Sequence, residues 1–333
     1  MIFSRPFFTK KWGRPPCLTF GKVGYLIAFC LIGSVPIGLS EFASGQEDAR
    51  LLKRIADLEN ENLALRKVIG ELQAVLENVP RAKPTTAKSS KLRIVVLPGD
   101  WGESQLEDMR RVCLSAAQEI WKEIPDDGLT PIHISRSNSG PISLYQRGKG
   151  YEYQVRLDTG NRAWAQCAYQ FAHEFCHILC NYRKVPNKQL WFEETLCELA
   201  SLYSLRKMGE AWKTRPPYSN WKSYAKALTS YADQRIQKYE NRTESVAQFF
   251  ATNKNKLFSQ GTLRELNGFI AVKLLPLFEK NPSGWQAIRY INLGPKEENE
   301  SFGKYLAGWH RRVPDNQKAF VKQIAREFNV ELK

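Results

Sequence analysis

Histidine is scarce in this chain of 333 residues, which holds four in all. Other signatures are missing altogether. No zinc-finger spacing, no arginine- or lysine-rich tract and no Walker-type glycine loop occurs, so no motif argues for nucleic acid as a partner. No internal repeat points to a solenoid or propeller. Beyond residue 91 the cysteines are Cys113, Cys167, Cys176, Cys180 and Cys197. They lack the paired C-x-x-C spacing of a structural zinc loop, and their odd number leaves at least one thiol unpaired. Acidic residues are outnumbered, 34 against 49 basic, but a hydrophobic share of 43% and a charged share of 25% exclude disorder throughout.

The basic excess is uneven. Residues 1–45 carry a net +4, residues 46–79 a net −2, and the remaining +13 falls in residues 80–333. A domain this basic attracts anionic surfaces such as nucleic acid, acidic lipid or cell-wall polymer, or simply has a solvated basic exterior.

The longest apolar run, Val23 to Leu39 in GKVGYLIAFCLIGSVPIGLS, follows four basic residues between Lys10 and Lys22. That order predicts export, with the basic flank left in the cytoplasm and the rest of the chain secreted or membrane-anchored outside it. Small residues at Ala43 and Gly45 suit cleavage, whereas the long lead before the run favours an uncleaved anchor. Residues 1–45 are therefore read as a signal peptide or signal anchor.

Residues 46–79 follow with a 4-3 apolar spacing. Ile55, Asn62, Ile69 and Leu76 fall at a; Leu51, Leu58, Leu65, Leu72 and Val79 fall at d. Branched residues at a with leucine at d favour a parallel two-stranded coiled coil, and Asn62 at a would fix its register. Arg54 at g faces Glu59 at e of a second copy, and Glu61 faces Arg66, which supports a parallel homodimer through residues 51–79. An amphipathic helix packed on its own domain is the plainer alternative. Residues 80–91, begun by Pro80, are polar and aperiodic and read as a flexible linker.

From residue 92 to the end the pattern is α+β. LRIVVLP, TPIHIS, GPISLYQRG and YEYQVRLDTG are strand candidates, and ESQLEDMRRVCLSAAQEIWKEI is a helix. Two further helices, NRAWAQCAYQFAHEFCHILCNY and LWFEETLCELASLYSLRKMG, bring this part to about residue 205. Residues 206–333 read as a helical lobe rich in aromatics.

Two of the four histidines, His173 and His177, stand four residues apart on one helix face, where they can hold one ion together. Glu174 projects about 100° around from His173, which suits a general base acting on water beside a metal better than a ligand. Zinc requires a further protein ligand. It is sought sixteen intervening residues on, at Glu193 or Glu194. Glu194 and Glu198 share a face, which favours Glu194 as ligand and Glu198 as the carboxylate accepting a hydrogen bond from a ligand imidazole.

H-E-x-x-H on one helix and W-F-x-E-x-L-x-E-x-A on the next resemble the gluzincin metallopeptidases, which include the thermolysin and aminopeptidase-N groups. The likeness spans roughly residues 92–333, with sharp motifs only at 173–198. It implies a Zn²⁺-dependent peptidase with metal ligands His173, His177 and Glu194, base Glu174 and supporting carboxylate Glu198. It also implies a peptide or protein substrate lying along YEYQVRLDTG as an edge strand. Thr195 stands where the family usually has glycine, Cys176 where alanine or threonine is common, and no Gly-x-Met-Glu-Asn segment precedes the helix. An oxyanion-stabilising residue is not identified; His310 and the tyrosines of the lobe are candidates. Three rival readings remain: a thiolate zinc site using Cys176 and Cys180, an inactive gluzincin-fold binding protein on a dimeric stalk, and a membrane adaptor whose zipper is the working part.

Overall fold

The structure is a computed structural model that describes residues 46–78, 92–125, 128–184, 187–294 and 300–332. The expected membrane segment at 23–39 and linker at 80–91 lie outside the described residues. No described helix is long and apolar enough to cross a membrane. The chain divides into two compact units, Met1–Lys83 and Pro84–Lys333.

The first unit contributes one helix, α1 (Gln46–Asn78), through the heptad stretch. Three leucines at d are open: Leu51, Leu58 and Leu65 are 49%, 42% and 54% exposed. The Asn62 amide turns back to donate to the Leu58 carbonyl at 3.1 Å.

The second unit is mostly helical around a small sheet. Its strands are β1 (Ile94–Val96), β2 (Ile132–Arg136), β3 (Ile142–Ser143) and β4 (Tyr153–Leu157). They are ordered β1-β2-β4-β3. The first three in that order are parallel, with Ile94 opposite Ile132 and Ile132 opposite Tyr153. β3 doubles back antiparallel, placing Ser143 opposite Val155. YEYQVRLDTG is therefore an inner strand, contrary to the edge position inferred above. The short β3 covers its free side, and the edge strands of the sheet are β1 and β3.

Alternation explains which face is buried. Ile94 and Val96 of β1, Ile132 and Ile134 of β2, and Tyr153, Val155 and Leu157 of β4 face the core. Against that core pack α2 (Leu106–Trp121), α3 (Trp164–Leu179) and α4 (Leu190–Trp212). The remaining helices are α5 (Ala225–Gln237), α6 (Val246–Ser259), α7 (Arg264–Lys280), α8 (Phe302–Arg312) and α9 (Asp315–Glu327). The division expected at residue 205 falls inside α4, which packs on α3 on one side and on α5 and α7 on the other. A helix 23 residues long, buried on nearly every face, ties the sheet and the lobe into one body.

Candidate metal centre

Helix α3 carries His173, Glu174 and His177, and its ends are set by local chemistry. It closes at Asn181, whose φ of 54° is a left-handed conformation that asparagine tolerates. The Asn181 N–H then bonds the Ile178 carbonyl at 3.1 Å and the Tyr182 N–H bonds that of His177 at 3.2 Å. This paired closure satisfies carbonyls that would otherwise be orphaned and ends the helix just past His177. The Asn181 amide also donates to the Arg289 carbonyl at 2.6 Å.

Helix α4 supplies the glutamates, and aromatic rings anchor its first turn. Trp191 and Phe192 pack on Phe302, with centroids at 4.8 and 5.2 Å, and on Phe328. Such ring pairs each contribute about 0.5–1.5 kcal/mol beyond area burial. Gly261 approaches that turn so closely that a Cβ there would stand 2.9 Å from Leu190 Cβ. Thr195, where glycine was expected from the family pattern, is fully buried and donates to the Trp191 carbonyl at 2.8 Å. The α3–α4 crossing is lined by small residues. Cys176, Cys180 and Cys197 are fully buried with their thiols in mutual contact, and Ser201 donates to the Tyr169 carbonyl at 2.8 Å. Small side chains let the two helix axes come close. All five cysteines described are free thiols.

The helices meet antiparallel, so contacts run in opposite order along them. His177 Nδ1 donates to Glu193 Oε1 at 2.7 Å. His173 Nε2 lies 3.2 Å from Glu194 Oε2, and His177 Nε2 lies 3.6 Å from Glu194 Oε1. The Tyr169 hydroxyl donates to Glu198 in a short bond. The imidazole partner is thus Glu193, and Glu198 holds a tyrosine instead. The reason is register: four residues along α4 from Glu194 is about 6 Å of helix, which carries Glu198 past His173 to Tyr169. Behind Glu193, Asn292 donates to its Oε2 at 2.6 Å, and the Tyr305 hydroxyl bonds Asn292 Oδ1 at 3.3 Å.

Charge follows this layout. Burial opposes protonation of His177, but the Glu193 bond and the charges of Glu193, Glu194 and Glu174 outweigh it and push His177 up to about 10. Burial likewise works against charge on Glu194, yet the His173 bond and nearby His177 and Arg264 hold its carboxyl below the usual range. Burial pushes the Cys180 and Cys197 thiols well above their ordinary value. The centre is built to hold positive charge between its carboxylates.

Glu174 is 3% exposed and lines the same cleft as both histidines. No side chain or backbone group of the described residues donates to its carboxylate. Its backbone carbonyl is fixed by the Ser143 hydroxyl at 3.0 Å, which ties β3 to α3 beside it. The cleft has a volume of about 440 Å³, within the usual range for ligand sites. Pro141, Ile142, Ser143 and Tyr145 line one part of it, and Thr262, Arg264 and Asn267 another. His310 is not among its lining residues; it sits on α8 with its Nε2 buried and without a hydrogen-bond partner among the described residues.

His173, His177 and Cys197 form a group that could hold a metal ion, with one ligand atom of each within 4.8 Å of the others. Glu194 competes with Cys197 for the third place. Ligands about 2.0–2.1 Å from a tetrahedral zinc stand about 3.3–3.4 Å apart. The Glu194 carboxylate meets His173 Nε2 through Oε2 at 3.2 Å and His177 Nε2 through Oε1 at 3.6 Å, so a different oxygen faces each imidazole. No protein-family model, curated protein or solved structure matches this chain.

Proposed function

We propose that residues 92–333 form a zinc-dependent peptidase with His173, His177 and Glu194 as metal ligands and Glu174 as general base. One observation carries the reading. The Nε2 atoms of both histidines face the two oxygens of Glu194 in a cleft where the buried Glu174 carboxylate has no partner among the described residues. Buried carboxylates are ordinarily paired, and one kept free is suited to take and release a proton. Zinc held there would supply Lewis acidity toward water and the scissile carbonyl. Glu193 fixes the His177 tautomer by holding Nδ1–H, leaving Nε2 free for the ion. Glu174 takes a proton from the attacking water onto its carboxylate and delivers it to the leaving amine. The edge strand β3 offers a substrate backbone hydrogen bonds as an added strand.

The full chain loaded with zinc is expected to hydrolyse members of a mixed peptide library. Activity should vanish with a chelator and return with added zinc. Hydrolysis indifferent to the chelator would refute a metal-dependent mechanism.

The chemistry sits, in this reading, on a dimeric stalk outside the cytoplasm. Residues 23–39 export the chain and, if retained, anchor it in the membrane. Support for pairing comes from the open leucines at d of α1. A peptide of residues 46–80 should sediment as a helical dimer, and Asn62→Val should raise its melting temperature while mixing its oligomeric states. A monomeric, unfolded peptide would remove the zipper.

A further inference from the structure

We propose that a second pocket beside the cleft, built around Arg147 and Arg183, binds a carboxylate of the substrate and so sets where the chain is cut. The proposal rests on the peptidase reading. The pocket has a volume of about 250 Å³ and adjoins the cleft through Tyr145 and Tyr182, which line both. Their rings lie 5.4 Å apart, and that of Tyr182 lies 6.2 Å from the imidazole of His177. One layer of aromatic side chain therefore separates the pocket from the proposed metal ligands.

Position along the chain gives the reach. Ser143 is bonded to the Glu174 carbonyl, and Tyr145 and Arg147 follow it by two and four residues. At about 3.3 Å per residue an extended segment covers at most about 13 Å over that interval. A substrate that lies along β3 and continues beside this segment reaches Arg147 within about four residues of Ser143.

Both guanidinium groups are held, but by neutral acceptors. Arg147 Nη1 donates to Thr130 Oγ1 at 2.9 Å and to the Tyr151 carbonyl at 3.1 Å. Its plane covers the Tyr153 ring, 3.1 Å from the centroid. Arg183 Nη2 donates to the Gly294 carbonyl. No carboxylate of the described residues pairs with either one, whereas Arg136, Arg206 and Arg242 of the same unit have Asp158, Glu279 and Glu244. Each guanidinium has further N–H groups, and a guanidinium presents them as a fork suited to a carboxylate. The neighbouring cleft is mixed in charge, with Glu174, Glu193, Glu194 and Glu198 beside Arg235, Arg264 and the two histidines in its lining. A substrate acid meets carboxylates as well as cations in the cleft but only the two arginines one pocket away, which favours one register as well as affinity. The carboxylate can be an acidic side chain or a free C-terminus.

The test is binding of fluorescent peptides to the full-length Glu174→Gln protein loaded with zinc. Three peptides share one sequence: a glutamate peptide with an amidated end, its glutamine twin, and the glutamine peptide with a free C-terminus. Either acid is expected to bind about 10- to 100-fold tighter than the amidated glutamine peptide, the range for charge-assisted hydrogen bonds. The side-chain and C-terminal forms identify which source the pocket reads. Arg147→Gln with Arg183→Gln should bring the acid-to-neutral ratio close to one. Because Arg147 also braces Tyr151, Arg183→Gln alone, at an exposed position, should reduce the ratio with a normal zinc content. Equal binding of acid and neutral peptides, or a preference that survives the double substitution, overturns the pocket. Binding is read in a protein that need not cleave. Acid-selective binding without any hydrolysis by the wild type therefore overturns the peptidase reading while leaving the pocket standing.

Discussion

Glu174→Gln is expected to keep the fold and the metal while hydrolysis falls about 10²- to 10⁴-fold, the usual contribution of a positioned base. The amide matches the carboxylate in shape, so α3 and its Ser143 bond, which goes to the backbone carbonyl, should persist. What disappears is the ability to accept a proton. The side chain is not a structural clamp, because no group of the described residues donates to it. Its melting temperature should therefore stay near that of the wild type. Peptide hydrolysis, zinc content and melting temperature, measured together, separate a lost base from a lost fold. Equal rates in the two proteins would remove Glu174 from the chemistry. A wild type that binds zinc and peptide but cuts nothing would favour the binding-protein alternative.

The elements of the second unit were legible because their periodicities are clean. Val95 is exposed between buried Ile94 and Val96, and Ile132, Ile134, Val155 and Leu157 follow the same two-residue rule. Strand order was not legible. Nothing local says that Ile142–Ser143 will return antiparallel and cover YQVRL, since that depends on how the turn at 144–152 directs the chain. The same limit applied to the glutamates. Four-residue spacing put Glu194 and Glu198 on one face, but which histidine each meets depends on the direction and register of α4 against α3. Antiparallel crossing brings Glu193 to His177 and Glu198 to Tyr169. A clue did exist in the sequence: Glu193 shares its face with Cys197, and small residues mark the side on which the helices touch. Asn292 and Tyr305, about a hundred residues away, had no local signal at all.

Glu194→Ala should lose zinc by more than the roughly 10–100-fold that removal of a hydrogen-bonded partner costs. Glu193→Gln should fall within that smaller range, because it loosens the His177 tautomer and leaves all three proposed ligands in place. Cys197→Ala decides between the two candidate triads. The Cys197 thiol is fully buried against Cys176 and Cys180, and burial favours its neutral form, which is a poor ligand. The Glu194 carboxylate, by contrast, is held charged by both imidazoles and turns one oxygen toward each of them. Cys197→Ala should accordingly keep zinc. Glu194→Ala also removes a partner from His173, so its melting temperature in chelator, compared with wild type in chelator, is the control for folding. A Glu194→Ala protein that folds and binds zinc like the wild type, alongside a Cys197→Ala protein that does not, would assign the centre to two histidines and a thiolate. Glu194 would then be left as a carboxylate poised over the ion, and the division of labour among the four glutamates of the cleft would have to be redrawn around it.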